Sequence, residues 1–256
     1  MYMSQIALLV PTRNRLNLQL TLISSIITTV KDINNVTLYF GVDRDDPTRE
    51  IIYKIANAIP FVKIIDIEPK GKQTNIHEIW NKLANISTET IVSMVGDDFI
   101  FKTQNWDEKI LEEFNEQNLP SDKIKSVYCW DGQRGGDLAV NIFTHREYLK
   151  YNDGKFLSET YLLNWSDQDI DVIFRALGRL KYRGDIEIFH NHYVFGGRKM
   201  DETAIRMLER DGDKSQTDLK WGPAEPERVE RVLKIAKAIG VTPNFKEGKF
   251  SEKYWN

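Results

Sequence analysis

Residues 90–101 read TIVSMVGDDFIF. The apolar run over 90–95 has the length and composition of a strand buried on both faces, the kind found in mostly parallel sheets covered by helices. It ends in two adjacent carboxylates, Asp97 and Asp98, and a second apolar triplet, Phe99-Ile100-Phe101, follows at once. Two negative charges at the end of a buried strand admit three readings: a solvated turn, a metal site, or half of an acid/base pair. A two-residue motif carries little weight alone, so the turn is favoured until neighbours are considered.

Working outward, the first hundred residues alternate between apolar strands at 6–10, 36–42 and 62–67 and helical patterns at 16–30, 48–58 and 74–86. That alternation predicts an α/β architecture with a mostly parallel sheet. Ligands of such sheets bind beyond the carboxyl ends of the strands. The charged loops lie there: Thr12-Arg13-Asn14-Arg15 after the first strand, Asp43 to Asp46 after the second, Asp97-Asp98 after the fourth. The second half is more mixed. Helices are predicted over 105–116, 167–177, 201–210 and 226–239, the last ending at Gly240. A strand, a Gly-rich loop and another strand fall between residues 127 and 149, and a further strand over 185–195 bears two histidines. The tail from 243 reads as a loop or wrapping arm, and no linker clearly divides the chain.

Composition narrows the class. The 256 residues are 41% hydrophobic and 29% charged, ordinary for a soluble globular protein of one large domain or two small ones. A net charge of −3 leaves no global field for nucleic acid, though a local basic face stays open. The single Cys129 excludes an internal disulfide and a multi-cysteine zinc site, and it fits a cytoplasmic setting. The opening MYMSQIALLVPTRNR is read as a strand rather than a leader peptide. No run approaches the roughly 18 apolar residues of a membrane helix.

Four groups of residues carry candidate chemistry. Asp97 and Asp98 suit Mg²⁺ or Mn²⁺, which take carboxylates together with phosphates. Asp167, Asp169 and Asp171 precede Arg175; spacing puts Asp167 and Asp171 on one helix face and Asp169 elsewhere. Acidic residues also favour a helix start for purely structural reasons. His190 and His192, two apart in a strand, share one face, as metal ligands or phosphate contacts or simply as packed histidines. Thr12, Arg13 and Arg15, with Lys70, Lys72, Arg198 and Lys199 elsewhere, suit phosphate oxygens. No GxGxxG or GxxxxGK[ST] is present, which removes the Rossmann dinucleotide and P-loop readings. Trp130-Asp131 and the Gly135-Gly136 loop are either a donor-sugar and acceptor element or a turn beside a core tryptophan.

Taken in order, these pieces resemble a GT-A glycosyltransferase of the family 2 type. The likeness lies in the PTRNR strand end, Asp43 after the second strand, Asn81 late in a helix, VGDD where the family carries its DXD motif, QDIDVIFRALG in place of its acidic catalytic motif, and IFHNH after a further strand. It departs in Val95, where the first Asp of DXD would stand, and in Gln168, where a Glu is usual. The resemblance implies a Rossmann-like, mostly parallel sheet flanked by helices. The catalytic domain would cover 1–200, with a nucleotide-sugar half to about 103, an acceptor half over 104–200, and a helical extension over 201–256. It also implies inverting transfer of a hexose or pentose from a nucleotide diphosphate sugar, a UDP-sugar favoured, to a hydroxyl acceptor. Asp97, with Asp98 and His190 or His192, would hold Mn²⁺ or Mg²⁺. Thr12, Arg13, Arg15 and Asp43, with Asp45 beside it, would position the nucleotide, and Asp169 would be the general base. The alternatives are a hydroxymethylated DNA base as acceptor, served by the basic stretches KYR (181–183) and GRK (197–199) and the lysine-bearing tail; a binding module that has lost catalysis; and a metal-dependent nucleotidyltransferase.

Overall fold

The computed structural model describes residues 5–68, 75–161, 165–195, 198–205 and 224–255. Four parallel strands form one half of the sheet: β1 (Ile6–Thr12), β2 (Val36–Asp43), β3 (Val62–Ile67) and β4 (Ile91–Met94). The other half is mixed, built from β5 (Phe99–Phe101), β6 (Ser126–Trp130), β7 (Ile142–His145) and β8 (Leu180–His190), and the order across all eight is β3-β2-β1-β4-β7-β6-β8-β5. Among the described residues the helices that flank it include α1 (Leu16–Thr29), α2 (Arg49–Ala58), α3 (Ile76–Ile86), α4 (Trp106–Glu113), α5 (Tyr148–Tyr151), α6 (Ser166–Ala176) and α7 (Ala224–Ile239). Among the described residues no helix is long and apolar enough to cross a membrane.

Strand alternation divides the core in two. Ile6, Leu8 and Val10 of β1 face one side, with Leu22 and Ile26 of α1 and Trp106 of α4. Ala7 and Leu9 face the other, with Ile79, Trp80 and Leu83 of α3, Ile173 of α6 and Val232 of α7. The C-terminal helix thus contributes to the same core as the first strand. Its expected stop is observed: Gly240 has φ +72°, and the Val241 N–H returns to the Ala236 carbonyl at 3.0 Å.

Register sets the site. β1 and β2 pair from Ile6↔Val36 to Thr12↔Val42, and β1 meets β4 at Leu9↔Met94, so the ends carrying Thr12, Asp43 and Asp97 lie along one edge. The chain then leaves β4 through Gly96 and reappears as β5 at the far edge, where Phe99 pairs antiparallel with His190 of β8. Asp97 and Asp98 sit at this crossing. The strand expected over 185–195 stops at His190: the His192 N–H bonds back to the His190 carbonyl at 2.8 Å, and a 3-10 turn follows over Tyr193–Phe195.

Asn81 of α3 ties the segment at Phe156 and Leu157 to the sheet. Its Oδ1 accepts the N–H groups of Phe156 and Leu157, both at 2.8 Å, and its Nδ2 donates to the Leu157 carbonyl at 3.0 Å. Asn81→Ala leaves these buried groups unpaired and is expected to cost about 3 kcal/mol, seen as a lower urea midpoint at unchanged m value.

Candidate functional site

Beyond the carboxyl ends of β1 and β4 opens a cleft of about 300 Å³, floored by Pro11, Trp80 and Met94. Among the described residues two larger grooves, about 490 and 440 Å³, lie against α7 and receive no strand-end residue; the strand-end candidates gather in the smaller one.

The two aspartates of the quoted stretch have separate tasks. Asp97 is 3% exposed, and both its oxygens are engaged, one by Thr12 Oγ1 at 2.7 Å and one by Arg15 Nη1 at 2.9 Å. Gln19 Nε2 donates to Thr12 Oγ1 at 2.8 Å and holds that hydroxyl in place. Burial pushes the Asp97 carboxyl up to about 6, against the pull of Arg15. Asp98 turns the other way, 3.4 Å from His190 Nε2 and 3.3 Å from Arg198 Nη2. Burial opposes its charge, but His190, Arg15 and Arg198 outweigh this and hold the carboxyl well below the usual aspartate range.

Asp98, His190 and His192 bring candidate ligand atoms within 4.8 Å of one another. His190 stacks on Phe99, ring centroids 4.3 Å apart, and its buried Nδ1 makes no hydrogen bond. Burial lowers His192 to about 4, so its imidazole is neutral at neutral pH, the form that binds metals. The geometry reverses the expected emphasis: Asp98, not Asp97, presents a carboxylate to the histidines, because Thr12 and Arg15 already occupy Asp97.

The acidic helix is rearranged as well. Trp165 enters α6 in the left-handed region, φ 77°, which is unusual for a bulky residue, and it lines the cleft. Asp167, two residues on, also lines the cleft. Burial pushes its carboxyl above the ordinary range, opposed by the Gln168 N–H and the charges of Arg134 and His190. Asp169, the expected base, does not reach the cleft. It is 2% exposed and ion-paired with Arg228 Nε at 2.7 Å and Arg231 Nη1 at 3.0 Å. Asp171 is buried too, accepting the Ala139 N–H at 3.0 Å and Arg175 Nε at 2.8 Å. One acid of the three faces the cleft, and it is Asp167.

The remaining candidates divide. Arg13 bridges Asp43, at 2.9 Å, and Asp45 on a shelf beside the cleft. Burial raises the Asp43 carboxyl, and Arg13 works against that rise. Trp130 and Asp131 do not line the cleft. Asp131 is 1% exposed and accepts the N–H groups of Gln133 at 2.9 Å and Arg134 at 2.7 Å, shaping the loop that delivers Arg134 to the cleft. Lys70 and Lys72 lie outside the described residues. Arg198 is brought in by Asp201, which also takes Arg15: its carboxylate is 2.9 Å from Arg198 Nη1 and 3.0 Å from Arg15 Nε. Trp165, Arg134 and Asp201 were not singled out from the sequence. A tryptophan just before an acidic helix was the only local hint.

No protein-family model and no curated protein sequence matches the chain. Solved structures do. The mannosyltransferase PcManGT from Pyrobaculum calidifontis, in complex with GDP-Man and Mn²⁺, is 12% identical, with a TM-score of 0.58 over 94% of this chain and 76% of that one. S. aureus TarS 1–349 is 15% identical, with a TM-score of 0.55 over 92% of this chain and 81% of that one. Its complex with UDP-GlcNAc matches at 14% identity, with a TM-score of 0.54 over 92% and 80%. Likeness at this level of identity is a likeness of fold, and the fold is GT-A.

Proposed function

We propose that this GT-A chain transfers a sugar from a nucleotide diphosphate sugar to a hydroxyl acceptor, with Asp167 as the general base. One observation carries the proposal: Asp167 shares a single cleft with the Asp98, His190 and His192 cluster and with three arginines, Arg15, Arg134 and Arg198. Nucleotide sugars bound by structures of this fold, GDP-Man in one and UDP-GlcNAc in another, support that donor class.

Asp98, His190 and His192 would hold the metal. Two imidazoles suit Mn²⁺ better than Mg²⁺, which prefers oxygen. When bound, the ion neutralises charge on the leaving nucleoside diphosphate. Arg15 and Arg198 donate to phosphate oxygens, and Arg13 and Asp43 flank the nucleotide. Trp165 and Trp80 offer apolar faces to sugar rings. Trp80 is fixed by its Nε1–H bond to the Leu9 carbonyl, 2.9 Å. Asp167 takes the proton of the acceptor hydroxyl as that oxygen attacks the anomeric carbon. With one carboxylate on the attacking side and a single displacement, the anomeric centre inverts.

The acceptor is a saccharide or another hydroxyl compound. A DNA acceptor needs a free basic surface, and Arg183 of the KYR stretch is already paired with Asp185 and Glu113. The experiment is hydrolysis of a panel of UDP- and GDP-sugars by the purified chain with Mn²⁺. Release of the nucleoside diphosphate is expected. Nucleoside monophosphate with sugar 1-phosphate as products points to nucleotidyl transfer, and donor binding without turnover to a lost catalyst. Asp201→Asn gives a separate expectation. It removes the anion that competes for Arg15 and Arg198, so calorimetry should show UDP binding severalfold tighter; unchanged binding would remove these arginines from the diphosphate site.

A further inference from the structure

Helix α7 carries Arg228 and Arg231 three residues apart, on one face, and both reach across to Asp169. The contacts are 2.7 Å from Arg228 Nε and 3.0 Å from Arg231 Nη1 and Nη2, with side-chain exposures of 3% and 15% against 2% for Asp169. Arg228 also donates to the Tyr161 hydroxyl. The Tyr161 carbonyl in turn accepts from His77 Nδ1 at 2.6 Å, beside the cleft-lining Ile76 and Trp80 of α3. Arg228 therefore joins both walls of the cleft from behind, and Arg231 adds a second hold on Asp169.

We infer that Arg228 and Arg231 are positioning residues for Asp167, acting through Asp169. The inference rests on Asp167 being the base. Residues two apart on a helix point about 200° away from each other, so Asp169 grips α7 while Asp167 faces the cleft. Holding Asp169 sets the rotation of the first turn of α6 and with it the direction of the Asp167 carboxylate. That turn needs holding, since it is entered through the left-handed Trp165. A buried charge cluster gives little net stability for its desolvation cost, whereas its direction-dependent bonds do specify orientation.

The test is Arg231→Met, the less buried partner, in the full chain with Mn²⁺ and the nucleotide sugar hydrolysed fastest in the panel, with UDP as the binding probe. Turnover is expected to fall about a hundredfold, with donor KM and UDP affinity within about twofold. Arg231→Lys should restore most of the turnover, and amide exchange should quicken over 165–169 ahead of the rest of α6. If Arg231→Met does not fold, Arg231→Gln is carried through the same assays. Turnover within about twofold of the parent in a folded variant, or turnover and UDP binding lost together with the melting transition, overturns the positioning role. Asp167→Asn is run alongside. If it hydrolyses donor normally, the base assignment fails and the inference with it. If it is inactive while Arg231→Met is normal, the positioning role alone is wrong.

Discussion

Asp167→Asn should lower turnover by about a thousandfold while UDP binding and the fold survive, since removal of a general base costs on the order of 10² to 10⁴ in rate. Its effect on stability has the opposite sign to that of most buried-aspartate substitutions. Burial raises the Asp167 carboxyl above its ordinary value of 3.8, so the folded chain disfavours its charged form. For such a group the unfolded state ionises first. Its contribution to stability falls as pH rises from the unfolded value through the folded one, and at neutral pH the carboxylate is a net cost. The asparagine variant should therefore melt at the same temperature as the parent or higher at neutral pH, and at acid pH the two should converge. Asp169→Asn is the contrast. It takes a buried partner from two arginines, and breaking such a pair costs about 3–5 kcal/mol. A thermal melt beside a turnover assay separates the two: Asp167→Asn inactive and stable, Asp169→Asn unstable. Normal turnover in Asp167→Asn would sink the base assignment.

The parallel half of the fold was legible because strands buried on both faces leave an unmistakable apolar run, and the intervening helices show 3.6-residue periodicity. The strand ends bearing Thr12, Asp43 and Asp97 followed from that half. What could not be read locally was decided by partners far along the chain. Spacing placed Asp169 apart from Asp167 and Asp171 but not which direction faces the cleft. That is settled by Arg228 and Arg231, some sixty residues later, which draw Asp169 inward. One oxygen of the Asp131 carboxylate, Oδ1, is taken by the turn it builds, a role that loop composition does not separate from ligand binding. The two histidines do meet, but through a tight turn after His190 rather than strand alternation alone.

The same long-range logic governs the metal, where Asp98→Ala is expected to abolish the Mn²⁺-dependent part of UDP binding, a loss of about a hundredfold or more. Residues 97 and 98 are neighbours, so sequence alone cannot rank them. The ranking comes from β5, which crosses to pair with β8 and sets Phe99 opposite His190, carrying Asp98 with it. Asp97 stays with β1, where Thr12 and Arg15 occupy both oxygens. Ligand binding stabilises a fold in proportion to its affinity, so a melt with Mn²⁺ and UDP, repeated after chelation, distinguishes the two. The parent should gain stability from the ion. Asp98→Ala should start lower, since it takes the carboxylate partner from His190 and Arg198, and should gain almost nothing from the ion. Asp97→Ala should also start lower, since it leaves buried Arg15 and Thr12 without their shared acceptor, yet still respond to Mn²⁺. The reverse pattern, with the ion effect lost in Asp97→Ala and kept in Asp98→Ala, would move the metal to Asp97 and leave the two histidines as packing. His192→Ala supplies the third arm. Its ring is held neutral by burial and so is ready to bind without first losing a proton. Removing it should weaken the Mn²⁺ effect about ten- to a hundredfold without the loss of starting stability expected for Asp97→Ala.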